Sequence, residues 1–461
     1  MITTIFALNE DTPKYKQIYE QFKNYIEQGD ILPDEQLPSI RELAESLQVS
    51  RNTTLTAYEQ LVAEGYIRSE GRKGYFANEV EHDFFHEGIN QQNFNQSSEV
   101  AQPIHIDFRA GAVDQDQFPL KIWRRIGNQV LSLKESFKYG ERFGEVCLRE
   151  QIAAYLLQSR GVKTEADAII IGSTTQQLLV NVGHILKDEF HSMVVEDPGY
   201  DGVREAFQLH HFTFETLPIY EDGFDLSTLA QMKSRLIYVT PSHHCPLGVS
   251  MSIQQRQMLI HWTNTRDGYI MEDDYDSEFR YTQQPFPALA SIDSGRVIYL
   301  GNFSKSFLPG IRLSYMVLPP TLLHRYKRQF LNFENTTSLF SQLTMAKFME
   351  EGEWMRHIKR MRLVYKRKVS HLVWELHNQF QDRISIIGEE SGLYLLIKVH
   401  LNRSEQWLME KAALYGVKVY PTSPFFVREY PDEPMIRLGF GSLSFDEIQE
   451  GVQLLKKAWS T

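Results

Sequence analysis

A lysine and an arginine stand just beyond an apolar stretch, residues 297–300, that predicts a buried strand. Open α/β sheets bind ligands beyond the carboxyl ends of their strands, so Lys305 lies where a reactive amine could meet a ligand. Seven residues later, Pro309-Gly310-Ile311-Arg312 supplies a guanidinium whose shape matches a phosphate. A lone lysine after a strand is most often a surface residue, and its significance therefore depends on the motifs around it.

An acidic cluster ends a second predicted strand. Glu272, Asp273, Asp274 and Asp276 follow that strand, with Tyr275 among them. Carboxylates this close repel one another unless a cation lies between them, and a protonated pyridine ring or a magnesium ion would serve. Asp273 and Tyr275 are two residues apart, so in an extended chain they project to the same side.

A third motif could bind an anion. Residues 172–177, Gly-Ser-Thr-Thr-Gln-Gln, follow an apolar stretch and open a predicted helix whose first N–H groups and hydroxyls suit an anion. Taken alone, this motif is better explained by helix capping. An amine, an acid for a ring nitrogen, a phosphate cradle and a stacking surface are together what a pyridoxal 5'-phosphate site requires. We therefore predict that Lys305 forms a Schiff base, that Asp273 binds the ring nitrogen and that Tyr275 binds the ring hydroxyl, with magnesium as the rival occupant.

These motifs lie in a region whose pattern predicts an α/β domain. From about residue 104, apolar runs alternate with helical patterns, which indicates a largely parallel sheet. From about residue 340, long helices return with two short strand candidates, residues 394–399 and 435–439. We expect a smaller α+β lobe there. The apolar runs of the main sheet are residues 168–171, 193–195, 236–239, 269–271 and 297–300.

The first 77 residues predict three helices followed by a hairpin. Apolar residues recur at helical spacing over 13–29, and Ser39 with Glu42 has the pattern of a capping box. Ser50 can cap a third helix, and residues 66–76 have the pattern of a small hairpin. The expected buried face of the third helix is Leu55, Tyr58, Leu61 and Val62.

The start of the third helix has the chemistry of a DNA reader. In a helix-turn-helix, the second of the two helices enters the major groove with its N-terminal end. That end is Arg51-Asn52-Thr53-Thr54; arginine can read guanine, asparagine can read adenine, and hydroxyls can contact phosphates. The serines before both helices act as caps as well, and capping is compatible with phosphate contact. For Arg72 and Lys73 in the hairpin, an ordinary solvated turn is the simpler interpretation.

The charge balance runs against DNA binding. The net charge is −11, whereas neutralisation of phosphates supplies much of the affinity for DNA. Residues 1–77 contain eight Lys or Arg and twelve Asp or Glu, so any basic surface must be local. The cations near the elements that would face DNA are Arg41, Arg51, Arg68, Arg72 and Lys73.

Composition also sets the domain limits and the expected compartment. Residues 78–103 are rich in Asn, Gln, Ser and Glu without periodicity, as in a flexible linker. We therefore expect a DNA-binding domain at 1–77, a linker at 78–103 and an effector domain at 104–461. No apolar run reaches the roughly 18 residues of a membrane span, and acidic residues interrupt the N-terminus where a signal peptide would continue. With two cysteines and no C-x-x-C pair, we expect a cytoplasmic protein without disulfides.

The run LPSIRELAESLQVSRNTTLTAYEQLVAEGYIRSEGRKGYF resembles the winged helix-turn-helix of the GntR family, over about the first 77 residues. The resemblance implies contacts with operator DNA from the start of the second helix, the start of the recognition helix and the wing. On this sequence those positions are Ser39, Arg41, Ser50, Arg51, Asn52, Thr53, Thr54, Arg72, Lys73 and Gly74.

The motifs EDPGY, EDDYDSEF and FSKSFLPGIRLSY resemble the aminotransferases of fold type I and, more closely, the MocR/GabR regulators, which join the same two modules in the same order. The implied fold is a winged helix-turn-helix of α+β type, followed by the α/β fold of type I pyridoxal-phosphate-dependent transferases with a small C-terminal α+β lobe. By this likeness Lys305 forms the internal aldimine, Tyr200 stacks on the ring and contacts the effector, and Arg437 binds the effector's α-carboxylate. The phosphate would be held by Ser173, Thr174, Thr175, Gln176, Asn302, Ser304 and Arg312.

Three positions depart from the aminotransferase pattern. Cys245-Pro246-Leu247-Gly248 replaces an Asn-Pro-Thr-Gly turn whose Asn contacts the ring hydroxyl, so that contact is absent or replaced. Thr174 and Asn302 replace the usual Gly and the usual Ser or Thr in the phosphate site. The run His243-His244-Cys245 could suggest a metal site, but adjacent ligands without a partner cluster rarely bind one. We predict a structural loop there and no metal.

The expected function is that of a pyridoxal-phosphate-dependent, DNA-binding transcriptional regulator. Its aminotransferase-like domain would sense an amino compound through aldimine exchange at Lys305, with little or no turnover, and its lobes would close around the effector. The expected partners are operator DNA, an amino acid or related amine, and a second copy in a head-to-tail homodimer. Two alternatives stay open: an active aminotransferase, since the same residues serve transamination, and a regulator that senses pyridoxal phosphate itself.

Overall fold

The computed structural model describes residues 12–79, 104–282, 286–428 and 430–460. The chain divides into two units, Met1–Ser98 and Glu99–Thr461, each of which is described by itself. Most of the predicted linker, residues 80–103, and the side chain of Arg72 lie outside the described residues. None of the helices in the described ranges is long and apolar enough to cross a membrane.

The N-terminal unit contains the three helices and the hairpin that the sequence predicts. Helices α1 and α2 both pack against α3, and the two strands pair antiparallel, with Ile67 opposite Ala77. This arrangement confirms the predicted winged helix-turn-helix. The elements are α1 (Lys14–Glu27), α2 (Ile40–Ser46), α3 (Arg51–Ala63), β1 (Ile67–Ser69) and β2 (Tyr75–Ala77).

The two serine caps form as expected. The Ser39 hydroxyl accepts from the Glu42 N–H at 3.2 Å, and the Glu42 carboxylate accepts from the Ser39 N–H at 3.0 Å, which is a complete capping box. The Ser50 hydroxyl accepts from the Thr53 N–H at 3.1 Å. Such caps satisfy N–H groups that have no partner inside a helix, and each typically contributes about 1 kcal/mol.

The buried face of α3 differs from the prediction. Thr54, Ala57, Tyr58 and Leu61 are fully buried, whereas Val62 is 38% exposed. The buried positions follow the spacing i, i+3, i+4 and i+7 from Thr54, so Val62 falls beyond the edge of this stripe. The predicted inward orientation of Val62 was therefore wrong, and Thr54 lies in the core.

The C-terminal unit is built on an eight-stranded sheet that confirms the predicted, largely parallel α/β architecture. Five neighbouring strands, β10, β9, β8, β5 and β6, run parallel, and β11 runs antiparallel between β10 and β4. The strand order is β4-β11-β10-β9-β8-β5-β6-β7. After β3 (Ile106–Asp107), the strands are β4 (Ile169–Gly172), β5 (Ser192–Asp197), β6 (Thr213–Tyr220), β7 (Gly223–Phe224), β8 (Leu236–Val239), β9 (Tyr269–Asp273), β10 (Val297–Asn302) and β11 (Ser314–Val317).

Helices cover both faces of this sheet. Alternate strand residues belong to two separate buried clusters: Ile237 and Val239 of β8 to one, Leu236 and Tyr238 to the other. Strands buried on both faces read as continuous apolar runs, which explains why the sequence predicted them. The helices of this layer are α4 (Leu120–Leu131), α5 (Val146–Arg160), α6 (Thr175–Leu186), α7 (Asp201–Gln208), α8 (Ile253–Thr265), α9 (Leu289–Ile292) and α10 (Pro320–Gln329).

The predicted small lobe is present with more strands than the two expected. Its main sheet has the order β12-β13-β16-β15, and β14 pairs in parallel with β3, from the beginning of the unit. Helix α11 packs against α4 and α5 of the larger lobe. The elements are α11 (Leu339–Glu350), α12 (Glu353–Phe380), β12 (Ile384–Ile387), β13 (Tyr394–Val399), α13 (Glu405–Leu414), β14 (Val417–Lys418), β15 (Tyr420–Pro421), β16 (Met435–Gly439) and α14 (Phe445–Trp459).

Candidate functional site

Lys305 lies in the turn after β10, at the carboxyl edge of the sheet. The Asn302 side-chain oxygen Oδ1 accepts the N–H groups of Ser304 and Lys305, at 3.0 and 3.3 Å, and so shapes the turn. Gly111, in the left-handed region with φ +78°, passes so close that a Cβ there would lie 1.9 Å from Lys305 Nζ. Burial lowers the pKa of the Lys305 amine, and Arg437 lowers it further. A larger share of the amine is therefore neutral and nucleophilic.

Asp273 is the acidic residue that faces the same space. It ends β9 and is 5% exposed. The Tyr238 hydroxyl donates to its Oδ2 at 2.6 Å, while its Oδ1 has no hydrogen-bond partner among the described residues. Burial raises the pKa of Asp273 to about 7, and the neighbouring Asp274 and Asp276 raise it further. A cationic N–H donor at Oδ1 would relieve this cost.

The other acids of the cluster have partners of their own. Glu272 accepts the N–H groups of Leu289 and Ala290, both at 2.9 Å. Asp274 pairs with Arg160 at 2.7 Å, and both side chains are buried. Each of these two acids thus has a partner within the fold, and Arg160 is one cation that lies among the cluster. Within the described ranges, no group of three His, Cys, Asp or Glu has an arrangement that could hold a metal ion.

Two adjoining cavities collect the predicted residues. The first, of about 430 Å³, is lined by Thr175, Tyr200, Asp273, Tyr275, Asn302, Lys305 and Arg437. The second, of about 910 Å³, shares four of these and adds Thr174, Gln176, Ser304 and Arg312. Ser173 lines neither cavity. Residues from five separate segments thus meet at one place.

One end of this space suits an anion. Thr174 caps α6, since its hydroxyl accepts from the Gln177 N–H at 2.9 Å, and the first-turn N–H groups beyond it have no partner inside a helix. Arg312 has φ +52°, the left-handed region that a non-glycine residue rarely adopts. Its guanidinium is exposed and pairs with no acid among the described residues. The Gln176 side chain binds Glu205 at 2.9 Å, so only its backbone faces the anion position.

At the other end, Arg437 lies between two aromatic rings. Its guanidinium carbon is 4.8 Å from the centre of the Phe425 ring and 5.7 Å from that of Tyr394. Its Nε is buried without a hydrogen-bond partner among the described residues. An arginine held by rings rather than by a carboxylate keeps its hydrogen-bonding edge for a ligand.

Several residues of the site carried no recognised signal in the sequence. Tyr238 supports Asp273, Gly111 closes on Lys305, and Phe425 covers Arg437. Tyr238 lies inside an apolar run and was indistinguishable from core. Phe425 and Gly111 come from loops without a motif. Only the fold brings these three next to the predicted residues.

Cys245, at the position of the missing asparagine, is buried and lines the first cavity. Burial raises the pKa of its thiol to about 12, so it is protonated. His243 binds Asp276 and His244 binds the Pro198 carbonyl, so the neighbouring histidines have partners within the fold.

The residues predicted to face DNA in the N-terminal unit differ in exposure. Arg51 and Asn52 are exposed at the start of α3, and Gly74 in the hairpin has φ +114°. Thr54 is fully buried, so its side chain cannot contact DNA, and this assignment was wrong. The reason is the turn of the helix, which carries the fourth residue of α3 onto the core side.

Several cations of this unit are paired with acids. Arg41 lies 3.0 Å from Glu45, and Lys73 lies 3.6 Å from Glu70. Arg68 binds Asp34 at 2.6 Å and also Glu70. Of the cations predicted to face DNA whose side chains the structure describes, Arg51 is the one without an acid partner. Exposed pairs of this kind are weak, and a phosphate could compete for Arg41 and Lys73.

Two protein families match the chain. The family described as "Aminotransferase class I and II" matches residues 103–455, and the family described as "Bacterial regulatory proteins, gntR family" matches residues 14–76. Each of these ranges falls within one of the two units.

Relatives with both parts are transcriptional regulators. The chain is 39% identical to an uncharacterized HTH-type transcriptional regulator, YdeL of Bacillus subtilis, over 99% of each chain. It is 31% identical to the probable rhizopine catabolism regulatory protein MocR of Rhizobium meliloti, over 97% of this chain and 94% of that one. Among solved structures, the α-aminoadipate aminotransferase LysN of Thermus thermophilus, complexed with N-(5'-phosphopyridoxyl)-L-leucine, is 25% identical, with a TM-score of 0.71 over 77% of this chain and 92% of that one.

Proposed function

This chain belongs to the aminotransferase class I and II family and is a MocR/GabR-type transcriptional regulator with an N-terminal gntR-family domain, and on this premise we propose that it binds pyridoxal 5'-phosphate at Lys305 and senses an amino compound there. A regulator that binds operator DNA works where the chromosome is, so the proposal includes a cytoplasmic location.

The residues of the cavities fit this cofactor. Asp273 Oδ1, buried without a partner among the described residues, suits the protonated ring nitrogen. The start of α6, Ser304 and Arg312 suit the phosphate. Tyr200 lines both cavities and would stack on the ring, and Tyr275 would bind the ring hydroxyl.

When bound, the cofactor supplies an aldehyde that combines reversibly with primary amines. The chain's own contribution is to hold Lys305 as a partly neutral amine beside that position, with Gly111 packed against it. An effector amine would compete with Lys305 for this position. Because Tyr238 and the protein around Asp273 exclude water, the charge of Asp273 acts strongly on its partner.

Arg437 selects the effector. A carboxylate on the amino compound would pair with its guanidinium, which Phe425 and Tyr394 hold in place. Arg437 belongs to the small lobe, whereas Lys305 and Asp273 belong to the large one. A ligand that binds both favours closure of the two lobes, to the extent that it binds the closed form more tightly.

The reader would bind operator DNA through Arg51, Asn52 and the wing. We also propose a head-to-tail homodimer. Phe137 and Tyr139, 83% and 95% exposed, and Phe333, 63% exposed, are apolar side chains of the kind that mark protein interfaces. A symmetric pair of readers would require an operator with repeated half-sites.

The observation that carries the proposal is that Lys305 lines two adjoining cavities, one with Asp273, whose Oδ1 has no partner among the described residues, and the other with the exposed Arg312. The first experiment adds pyridoxal 5'-phosphate to the protein and records the visible absorption. The protein should turn yellow, and Lys305→Ala should not, although its circular dichroism is unchanged. An unchanged spectrum of Lys305→Ala would show that another lysine is used, and a colourless wild type would refute cofactor binding.

The second experiment tests regulation. Footprinting on the DNA upstream of its own gene is repeated with and without cofactor and with a panel of amino acids. A footprint that changes with one amino acid supports sensing, whereas a footprint that changes with cofactor alone favours a sensor of pyridoxal phosphate. Binding without sequence preference would refute the regulator proposal.

An active aminotransferase is the second candidate. The observation in its favour is that Lys305, with a lowered pKa, lies beside a cavity that also holds Arg437, as transamination requires. Steady turnover of amino acid and keto acid, lost in Lys305→Ala, would support it. A single stoichiometric conversion without turnover would support the regulator.

A further inference from the structure

A buried histidine and aspartate lie directly behind Tyr275. His243 and Asp276 are each 2% exposed, and His243 Nδ1 lies 2.8 Å from Asp276 Oδ2. The same Nδ1 lies 3.1 Å from the Tyr275 hydroxyl. Tyr275 and Asp276 line the first cavity, whereas His243 does not. The histidine can therefore act on a ligand only through these neighbours.

The hydrogen-bond accounting fixes the tautomer of His243. A nitrogen and a carboxylate oxygen at 2.8 Å need a proton between them, which places the hydrogen on Nδ1. Its Nε2 is buried without a partner among the described residues. With Nδ1–H pointing at Asp276 and Tyr275, the Tyr275 hydroxyl has no acceptor on His243.

Two glycines lie next to the imidazole of His243. A Cβ on Gly392 would lie 2.0 Å from His243 Cε1 and 2.8 Å from Asp276 Oδ2. A Cβ on Gly248 would lie 3.4 Å from His243 Nε2 and 2.7 Å from the Gly388 Cα. The His243 ring therefore packs directly against the backbone of Gly392, in space that a side chain there would take.

We propose that His243 and Asp276 are positioning residues that orient the Tyr275 hydroxyl as a hydrogen-bond donor into the cavity. This inference rests on the proposed cofactor, whose ring hydroxyl is the acceptor assigned to Tyr275. The Tyr394 hydroxyl, 3.3 Å away, is the other acceptor within reach. A donor to the ring oxygen favours its ionised form, so the pair would lower the pH at which the bound cofactor ionises.

The groups around Tyr275 come from several elements. Asp276 and Asp273 belong to its own segment, His243 and Cys245 to the loop after β8, Tyr394 to β13, and Lys305 to the turn after β10. His243 contacts both Asp276 and Tyr275 but does not line the cavity. A variant of His243 therefore tests positioning apart from ligand contact.

The experiment is a pH titration of the visible absorption of the cofactor-loaded full chain. His243→Leu should raise the midpoint by about one pH unit, since it removes the group that orients the Tyr275 donor. In His243→Asn the amide N–H takes the position of Nδ1–H, so the midpoint should lie close to that of the wild type. The matched control is His244→Asn, in the same loop and equally buried, which binds Pro198 instead and should leave the midpoint unchanged.

A double-mutant cycle shows whether the effect passes through Tyr275. Tyr275→Phe should raise the midpoint at least as much as His243→Leu, and adding His243→Leu to Tyr275→Phe should shift it no further. Circular dichroism and cofactor stoichiometry establish that each variant folds and loads. Full loading of His243→Leu with an unchanged midpoint, or additive shifts in the cycle, would overturn the inference. Failure of the wild type to load would instead refute the proposed function.

Discussion

The two units of the chain hold their polar groups in opposite ways. In the C-terminal unit, Asp273 and Lys305 lie at a cavity where burial shifts the pKa of both, upward for the acid and downward for the amine. In the N-terminal unit, Arg51 and Asn52 project from the surface, and the residue of that group with a buried side chain, Thr54, points into the core.

The difference follows from the two kinds of ligand. A small molecule is enclosed, so its partners must be desolvated in advance, and they include atoms such as Asp273 Oδ1 and Arg437 Nε, which are buried without a hydrogen-bond partner in the described part of the chain. DNA stays outside the fold, and its partners remain hydrated until it arrives. The effector site is therefore recognisable from the free protein, whereas the DNA face is recognised mainly from its fold.

The largest effect is expected from Arg437→Ala. If Arg437 binds a carboxylate in a partly buried setting, its removal should weaken binding of the effector by about 100-fold or more, since breaking such a pair costs about 3 kcal/mol. The cofactor absorption should be retained. The measurement is an effector titration of the spectrum, with the methyl ester as a matched ligand. Equal loss for acid and ester would show that Arg437 supports the fold of the cavity instead.

A smaller effect should appear in the pH dependence of the cofactor-free protein. Asp273 has a pKa of about 7 in the folded protein, against an ordinary value of 3.8. The folded state therefore holds this proton more tightly than the unfolded state, and the stability that this gives is lost as the pH rises from about 4 through 7. The free energy of unfolding should fall by about 2 to 3 kcal/mol between pH 5 and 8 from this group. In Asp273→Asn this fall in the free energy of unfolding between pH 5 and 8 should be absent.

Tryptophan fluorescence can measure this in the full chain. All six tryptophans, Trp123, Trp262, Trp354, Trp374, Trp407 and Trp459, belong to the C-terminal unit. Urea unfolding followed by this signal reports on the unit that contains Asp273. The two proteins should differ most above pH 7 and least near pH 4. Parallel pH profiles would indicate that the Asp273 carboxyl is ionised in the folded protein throughout.

How much the sequence could predict follows the same division. The strands after which Lys305 and Asp273 lie are buried on both faces, so each has a clear apolar signal. Tyr238, which donates to Asp273, and Arg160, which pairs with the neighbouring Asp274, come from distant segments and look like ordinary core or helix residues. No local pattern encodes such contacts, because they depend on which strands become neighbours.

In the reader, local rules predicted the elements and missed orientation. The serine caps at Ser39 and Ser50 are local features, and they form. Whether Thr54 or Val62 faces the core depends on a rotation of α3 about its own axis by less than the angle between successive residues. Helical spacing alone does not fix that rotation when a threonine can be buried. The short strands β14 and β15, two residues each, were missed because so few residues carry no period.

An intermediate effect is expected from Arg51→Ala on DNA binding. Loss of a base or phosphate contact should weaken binding to the operator by about 10- to 100-fold and reduce the salt dependence by about one unit of slope. Arg68→Ala is the matched control, since Arg68 is held by Asp34 and Glu70. It should leave both quantities nearly unchanged. Equal effects from the two variants would mean that overall charge, rather than the position of Arg51, sets the affinity.

The smallest effect should come from Ser50→Gly, which separates capping from DNA contact. Glycine is itself tolerated as an N-cap, so replacing the hydroxyl costs α3 only a few tenths of a kcal/mol, whereas Ser50→Ala costs about 1 kcal/mol. Amide hydrogen exchange along α3 in the full chain measures that difference. If the Ser50 hydroxyl also contacts a phosphate, both variants should lose DNA affinity by a similar, few-fold factor despite their unequal stability. If DNA affinity instead follows helix stability, Ser50 acts only as a helix cap and does not contact DNA.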